Sequence, residues 1–169
     1  TIATASASDP ESQAITYSLS GTGSEYFAVD DSGNVTLIAG LDYETASSYS
    51  LTLSASDGVN TTINTIIISI SDVNEAPSLS SSLAASSFAE NTATGTTIAT
   101  SSAADPESQT ITYSLSGTGS ENFAVDSSGN ITLASSLDYE TTTSYSLTLT
   151  ASDGTNFASE TINISVADV

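Results

Sequence analysis

The sequence predicts an all-β protein made of two copies of one antiparallel β-sandwich module, and three observations predict it. The first is an internal repeat. Asp9 pairs with Asp105, Asp42 with Asp138, Asp57 with Asp153 and Asp72 with Asp168, each at an offset of 96 residues. The blocks DPESQ, ITYSLSGTGSE, FAVD, LDYET, SYSLTL and ASDG recur without slippage. That period exceeds solenoid repeats and suits one β-sandwich of about 100 residues. The second is period-two hydrophobicity. Ile111, Tyr113 and Leu115 alternate with Thr and Ser, as do Tyr49, Leu51, Leu53 and Ala55, Tyr145, Leu147, Leu149 and Ala151, and Ile162, Ile164 and Val166. This alternation marks half-buried antiparallel strands with one face on a core and one in water. The third is turn chemistry: DSGN at 31–34 and SSGN at 127–130 place Gly33 and Gly129 where a tight turn needs positive φ. No window has convincing helical period.

The repeat sets the expected domains. Residues 1–73 form a first module, 74–77 a linker and 78–169 a second module. Thr1 aligns with Thr97, so the first module has no counterpart of residues 78–96 and lacks its first strand. An excised piece of a longer array accounts for this. The alternative is a filament subunit completed by a strand donated from another chain.

Composition excludes several function classes. The 169 residues carry 20 Asp and Glu and no Lys, Arg or His, for a net charge of -20. Nucleic-acid affinity rests on cations neutralising phosphates, so nucleic acid is not a partner. Docking on an anionic membrane is likewise disfavoured, and no stretch approaches the length of a membrane span. With Cys and His absent, disulfides, zinc and copper sites are excluded, whereas abundant oxygen ligands suit calcium or magnesium. The usual catalytic bases and nucleophiles are missing, which argues against an enzyme.

The acids recur in short motifs at strand ends: Asp-Pro-Glu at 9–11 and 105–107, Leu-Asp-Tyr-Glu at 41–44 and 137–140, and Ala-Ser-Asp-Gly at 55–58 and 151–154. A fourth, Asp72-Val73-Asn74-Glu75-Ala76-Pro77, lies at the module boundary. In extended chain, residues i and i+2 face the same way, so Asp42 with Glu44, and Asp105 with Glu107, are expected to reach one ion together. Two like charges about 4 Å apart cost about 4 kcal/mol at an effective dielectric near 20. Carboxylates converging at a joint without a basic residue would repel it open. Divalent cations supply the counter-charge, and calcium's oxygen-rich shell fits better than the tight octahedron of magnesium.

These motifs resemble the cadherin repeat. LDYETASSYSLTLSASDG followed by DVNEAP parallels the family's LDxE, YxLxVxAxD and DxNDNxP, FAEN at 88–91 its PEN motif, and FAVDDSGNVTL its FxIDxxTGxI segment. The resemblance implies two Greek-key, immunoglobulin-like β-sandwiches arranged end to end with calcium at their joint. It assigns Asp42, Glu44, Asp72, Asn74 and Glu75 above that joint, and Asp105, Glu107 and Asp153 below it. Asp9, Glu11 and Asp57 would serve a preceding module; Glu90, Asp138, Glu140 and Asp168 a following one. The chain departs from the pattern where DPE replaces DxD and where NEAP is a residue shorter than NDNxP.

The function implied is a calcium-rigidified spacer in a long extracellular repeat protein, like the cadherin-like arrays of bacterial surface adhesins, with neighbouring modules as partners. A carbohydrate- or self-binding adhesion module is the alternative, favoured if an exposed apolar patch differs between the copies. A solubilising acidic surface accounts for Glu25, Asp31, Glu121 and Glu160, which fall outside the motifs. Tyr17, Tyr49, Tyr113 and Tyr145 read as core, and Tyr43 and Tyr139 as the more exposed aromatics. Asn34-Val-Thr, Asn60-Thr-Thr, Asn130-Ile-Thr and Asn163-Ile-Ser match the N-glycosylation pattern, as chance alone would supply in a chain so rich in Ser and Thr.

Overall fold

A computed structural model describes residues 1–169. It divides into two compact units, Thr1–Val73 and Asn74–Val169.

The first unit contains β1 (Ala3–Thr4), β2 (Thr16–Ser20), β3 (Phe27–Val29), β4 (Asn34–Leu37), β5 (Ser48–Ser56) and β6 (Thr61–Ser69). They form two three-stranded sheets, ordered β1-β4-β3 and β2-β5-β6. The second unit contains β7 (Ser78–Leu83), β8 (Phe88–Ala89), β9 (Thr97–Ala104), β10 (Thr112–Ser116), β11 (Phe123–Val125), β12 (Ile131–Leu133), β13 (Ser144–Ser152) and β14 (Phe157–Ala167). Its sheets are four-stranded, ordered β10-β13-β14-β8 and β11-β12-β9-β7. The 169 residues hold no first-unit counterpart of β7 and β8. Pairing is antiparallel with one exception. β8 runs parallel to β14, with Phe88 opposite Val166 and Ala89 opposite Ala167, at one edge of the expected antiparallel sandwich. The chain passes from β7 in one sheet to β8 in the other, and this crossing sets the direction of β8.

The alternating pattern sorts side chains as a half-buried strand requires. In β13, Tyr145, Leu147, Leu149 and Ala151 are buried while the intervening Ser and Thr face out. In β14, Ile162, Ile164 and Val166 join them, and Phe88, Ile98, Phe123, Ile131, Leu133 and Leu137 close the core from elsewhere. Phe123 meets Tyr145 edge-on at 5.1 Å between ring centroids, a favoured aromatic geometry. The first unit's core is smaller, built on Phe27, Val35, Tyr49 and Leu51. Tyr113 is half-buried against the second core, as its alternation requires.

Turns follow the glycines. Gly33 and Gly129 adopt φ of 77° and 82°. Gly117 follows β10 with φ +110°, and a Cβ there would come within 2.7 Å of the Ser146 carbonyl oxygen. The backbone is therefore too close for any side chain. One-turn 3-10 segments follow at Ser24–Tyr26 and Ser120–Asn122.

The strands carry almost no charge. Of the 20 acidic residues only Glu160 lies within a strand. The outward face of β10, β13 and β14 is Ser and Thr apart from Phe157, Asn163 and Ala167. Leu147 has no exposure, so Leu147→Ala should lower stability by about 2–5 kcal/mol. Outward Ser146→Ala should stay within about 0.5 kcal/mol, both read from urea unfolding of the 169-residue chain.

Candidate metal centre

The Asp-Pro-Glu and Leu-Asp-Tyr-Glu motifs are turns rather than the extended chain expected for Asp-x-Glu. In Asp-Pro-Glu-Ser, the proline presets φ for the turn. Ser108 N–H donates to the Asp105 carbonyl at 3.0 Å, and Gln109 N–H to Asp105 Oδ1 at 2.8 Å. Ser108 takes φ of 60° to close it. Asp9 holds the same turn in the first unit, through Ser12 N–H at 3.1 Å and Gln13 N–H at 2.9 Å. Leu-Asp-Tyr-Glu behaves alike: Asp138 accepts from Thr141 N–H at 3.0 Å and Thr141 Oγ1 at 2.8 Å. Asp42 accepts the equivalent pair from Thr45 at 3.1 and 2.9 Å. The aspartate thus closes the turn that carries the glutamate two residues on.

These turns help to place the carboxylates that converge. At one end of the second unit, Glu90, Glu140 and Asp168 bring carboxylate oxygens within 4.8 Å of one another. Asp138, occupied with its turn, is not in this group. Glu90 follows β8, whose pairing with β14 also fixes Asp168 just past the strand end. Tyr139 N–H donates to Glu90 Oε2 at 3.0 Å, tying the Leu-Asp-Tyr-Glu turn to the same place. Tyr139 packs against the core, whereas Tyr43 is 37% exposed.

At the other end of this unit, Glu75 and Glu107 have carboxylate oxygens within 4.8 Å. Asp105 Oδ2 and both oxygens of Glu107 are enclosed without a hydrogen-bond partner. Asp153 sits beside them in an Asx turn, its Oδ1 accepting from Thr155 N–H and Asn156 N–H, each at 2.6 Å. Its Oδ2 accepts from Asn74 Nδ2 at 2.9 Å. The burial of Asp153 opposes ionisation, but these bonds together hold its carboxyl below the usual carboxylate range. Two residues that sequence reasoning missed complete the frame. Asn156 Nδ2 donates to the carbonyls of Asn74 at 2.8 Å and Glu75 at 3.2 Å, and Gln109 Nε2 donates to Asn74 Oδ1. Both could have been found: Gln109 belongs to the repeated DPESQ block, and Asn156 matches Asn60 at the repeat offset.

The donor set is wholly oxygen, with enclosed carboxylate oxygens lacking any donor, and this fits a hard cation such as calcium. In the first unit, Asp57 repeats the Asx turn, accepting from Val59 N–H at 2.7 Å and Asn60 N–H at 2.6 Å. Glu11, Glu44 and Asp72 are exposed.

Two acids outside the predicted motifs behave differently from a solvating surface. Glu160 was expected to solvate the surface with Glu25, Asp31 and Glu121, which are exposed. Instead it falls on the inward face of β14, in line with Ala158 and Ile162, and its Oε2 is enclosed without a partner. Asp126 closes the second glycine turn by accepting from Asn130 Nδ2 at 3.0 Å, Asn130 N–H at 2.9 Å and Ser128 N–H at 2.8 Å. The Asn130 amide chiefly lowers its pKa. A depressed carboxyl contributes stability that is complete above the unfolded value of about 3.9 and is lost as pH falls through the folded value. The urea midpoint should therefore fall below about pH 4, and Asp126→Asn should make that fall shallower while leaving the slope near pH 6 unchanged.

The cadherin domain family matches residues 1–71 and again 85–167. Human cadherin-23 is 36% identical over 154 residues, covering 87% of this chain and 5% of its own length. Rat cadherin-related family member 1 is 32% identical, covering 98% of this chain and 22% of its own length. Among solved structures, protocadherin gamma B2 extracellular cadherin domains 3-6 superpose with a TM-score of 0.66 at 25% identity, over 93% of this chain and 40% of theirs. Mouse cadherin-23 EC22-24 gives 0.55 at 29%, over 97% and 57%. The chain thus spans a small part of the curated relatives it matches. With two matched segments, the repeated acidic turns and the sheet order in place, this chain belongs to the cadherin family.

Proposed function

We propose that this chain is a calcium-stiffened pair of modules in an extracellular repeat protein, acting as a spacer between functional regions. Cadherin domains bind calcium and mediate adhesion in cadherins, and the relatives are adhesion proteins rather than enzymes. No helix is long and apolar enough to cross a membrane. The observation that carries the reading is the enclosure of Asp105 Oδ2 and both Glu107 oxygens without a donor, in a chain with no cationic side chain. Enclosed anionic oxygens without partners are costly, and a divalent cation is the available remedy.

Asp42, Glu44, Asp72, Asn74 and Glu75 with Asp105, Glu107 and Asp153 are the proposed ligand set at the boundary. Asp9, Glu11 and Asp57, and separately Glu90, Asp138, Glu140 and Asp168, are proposed as half-sites shared with neighbouring modules. The turn-closing roles of Asp42 and Asp138 leave their second lone pairs for an ion. Near-identity of the copies supports a spacer, since repetition lengthens a chain without creating a distinctive recognition face. The mammalian relatives give no support to a bacterial source.

The test is small-angle scattering of the 169-residue chain in calcium and then in chelator. Calcium should narrow and extend the shape distribution and raise the thermal midpoint, and Glu107→Gln should weaken calorimetric calcium binding at least tenfold. Identical profiles with and without calcium would sink the spacer reading.

One observation favours a partner-binding face as a second reading. On β6, Ile63 is 67% and Ile67 73% exposed, where the second unit has Ser159 and Asn163. Apolar residues confined to one copy serve recognition better than spacing. If this face binds a second copy, sedimentation should show concentration-dependent association that Ile63→Ser with Ile67→Asn abolishes. A monomer at all concentrations would exclude self-association.

A further inference from the structure

Four Asn-x-Ser/Thr sequences are present, and the structure separates them by what each amide nitrogen is doing. Asn34 Nδ2 donates to Asp30 Oδ2 at 2.8 Å, Asn130 Nδ2 to Asp126 Oδ2 at 3.0 Å, and Asn60 Nδ2 to Asp57 Oδ2 at 3.3 Å. Each of these asparagines also donates its backbone N–H to the same aspartate, at 2.9, 2.9 and 2.6 Å. They are built into turns, and attachment at Nδ2 would remove one of its two N–H groups and crowd a sugar against the carboxylate that each turn closes around. Asn163 differs. It stands at the outward face of β14, exposed, opposite Ser146, and no side-chain hydrogen bond occupies its amide. Ser165, the hydroxyl residue of its sequence, is exposed on the same face two residues on, as strand geometry requires.

We propose that Asn163 is an acceptor for an N-linked glycan and that Asn34, Asn60 and Asn130 are not. The donor is a lipid-pyrophosphate-linked oligosaccharide, transferred by a secretory-route enzyme that reads Asn-x-Ser/Thr. Nδ2 attacks the anomeric carbon, a C–N bond forms, and the bond from that carbon to pyrophosphate oxygen breaks. The lipid pyrophosphate leaves with the electron pair, Nδ2 loses one proton, and nothing is oxidised or reduced. Order of folding favours this choice. The three competing turns close over three or four residues, and such local contacts form before distant ones. Asn163 is engaged only when β14 pairs with Ser146 on β13, so its amide stays available to a transferase for longer. Once β14 has folded, a glycan there points into water from an uncharged face without displacing any bond. The first unit has Ile67-Ile68-Ser69 at this place, so the modification would distinguish the two modules.

The experiment secretes the whole 169-residue chain from a eukaryotic cell and measures intact mass before and after N-glycosidase release in heavy-oxygen water. One glycan is expected, with the label incorporated at residue 163. Asn163→Gln and, as a separate variant, Ser165→Ala should each lose the mass shift completely. The combined Asn34→Gln, Asn60→Gln and Asn130→Gln variant should keep it, and peptide mapping of the unaltered chain reads the same assignment if that variant misfolds. A secreted chain without glycan, a label at residue 34, 60 or 130, or a shift surviving Asn163→Gln would each overturn the proposal.

Discussion

No positive side chain exists in this molecule, so every carboxylate must be satisfied by a neutral donor or by a cation from solution. This constraint organises the rest of the structure. Strand interiors hold no acid except Glu160, because a carboxylate on a paired, half-buried strand would meet neither donor nor water easily. The remaining acids gather in turns, where backbone N–H groups are unpaired and can be directed at an oxygen. The repeated motifs solve that problem with the fewest residues.

The solution divides the acids into two populations. Asp30, Asp42, Asp57, Asp126 and Asp153 accept two or more hydrogen bonds from residues close by in sequence, and all titrate below the ordinary range. Their bonds shape turns whether or not any ion is present. Glu107, the Glu90, Glu140 and Asp168 group, and the second oxygen of Asp105 belong to the other population. Glu107 and Glu140 stand in turns closed by Asp105 and Asp138, so aspartates held by backbone also carry the glutamates presented to a cation. An Asp-to-Asn change in the first group therefore disturbs turn geometry first, whereas a Glu-to-Gln change in the second leaves the turns closed.

The fold was legible because one periodicity settles it. Tyr145, Leu147 and Leu149 could be assigned to the core from alternation alone, and so could Ile162 and Ile164. Glu160 was legible by the same rule, two residues before Ile162, but its charge suggested water and the pattern was overruled. The site was legible as a list of acids and not as an arrangement. Extended geometry was assumed for Asp-x-Glu, whereas Pro106 and the hydroxyl of Thr141 mark turns. The reversal of β8 relative to the other strands could not be read, since a two-residue strand has too little pattern to reveal its partner. The roles of Asn156 and Gln109 depend on contacts 82 and 35 residues away along the chain, which no local motif announces.

The outward Ser and Thr face of β10, β13 and β14 has a consequence for how such chains tolerate crowding. Coulomb repulsion between exposed groups fades beyond roughly 10 Å at 0.1 M salt, and on this flank there is no charge to repel. Where two such flanks meet at that salt concentration, repulsion comes only from carboxylates in the more distant turns. The flank also lacks an extended apolar patch that would make such contact sticky. The salt dependence of this surface therefore resides in its turns, and the hydroxyl flank adds no charge of its own.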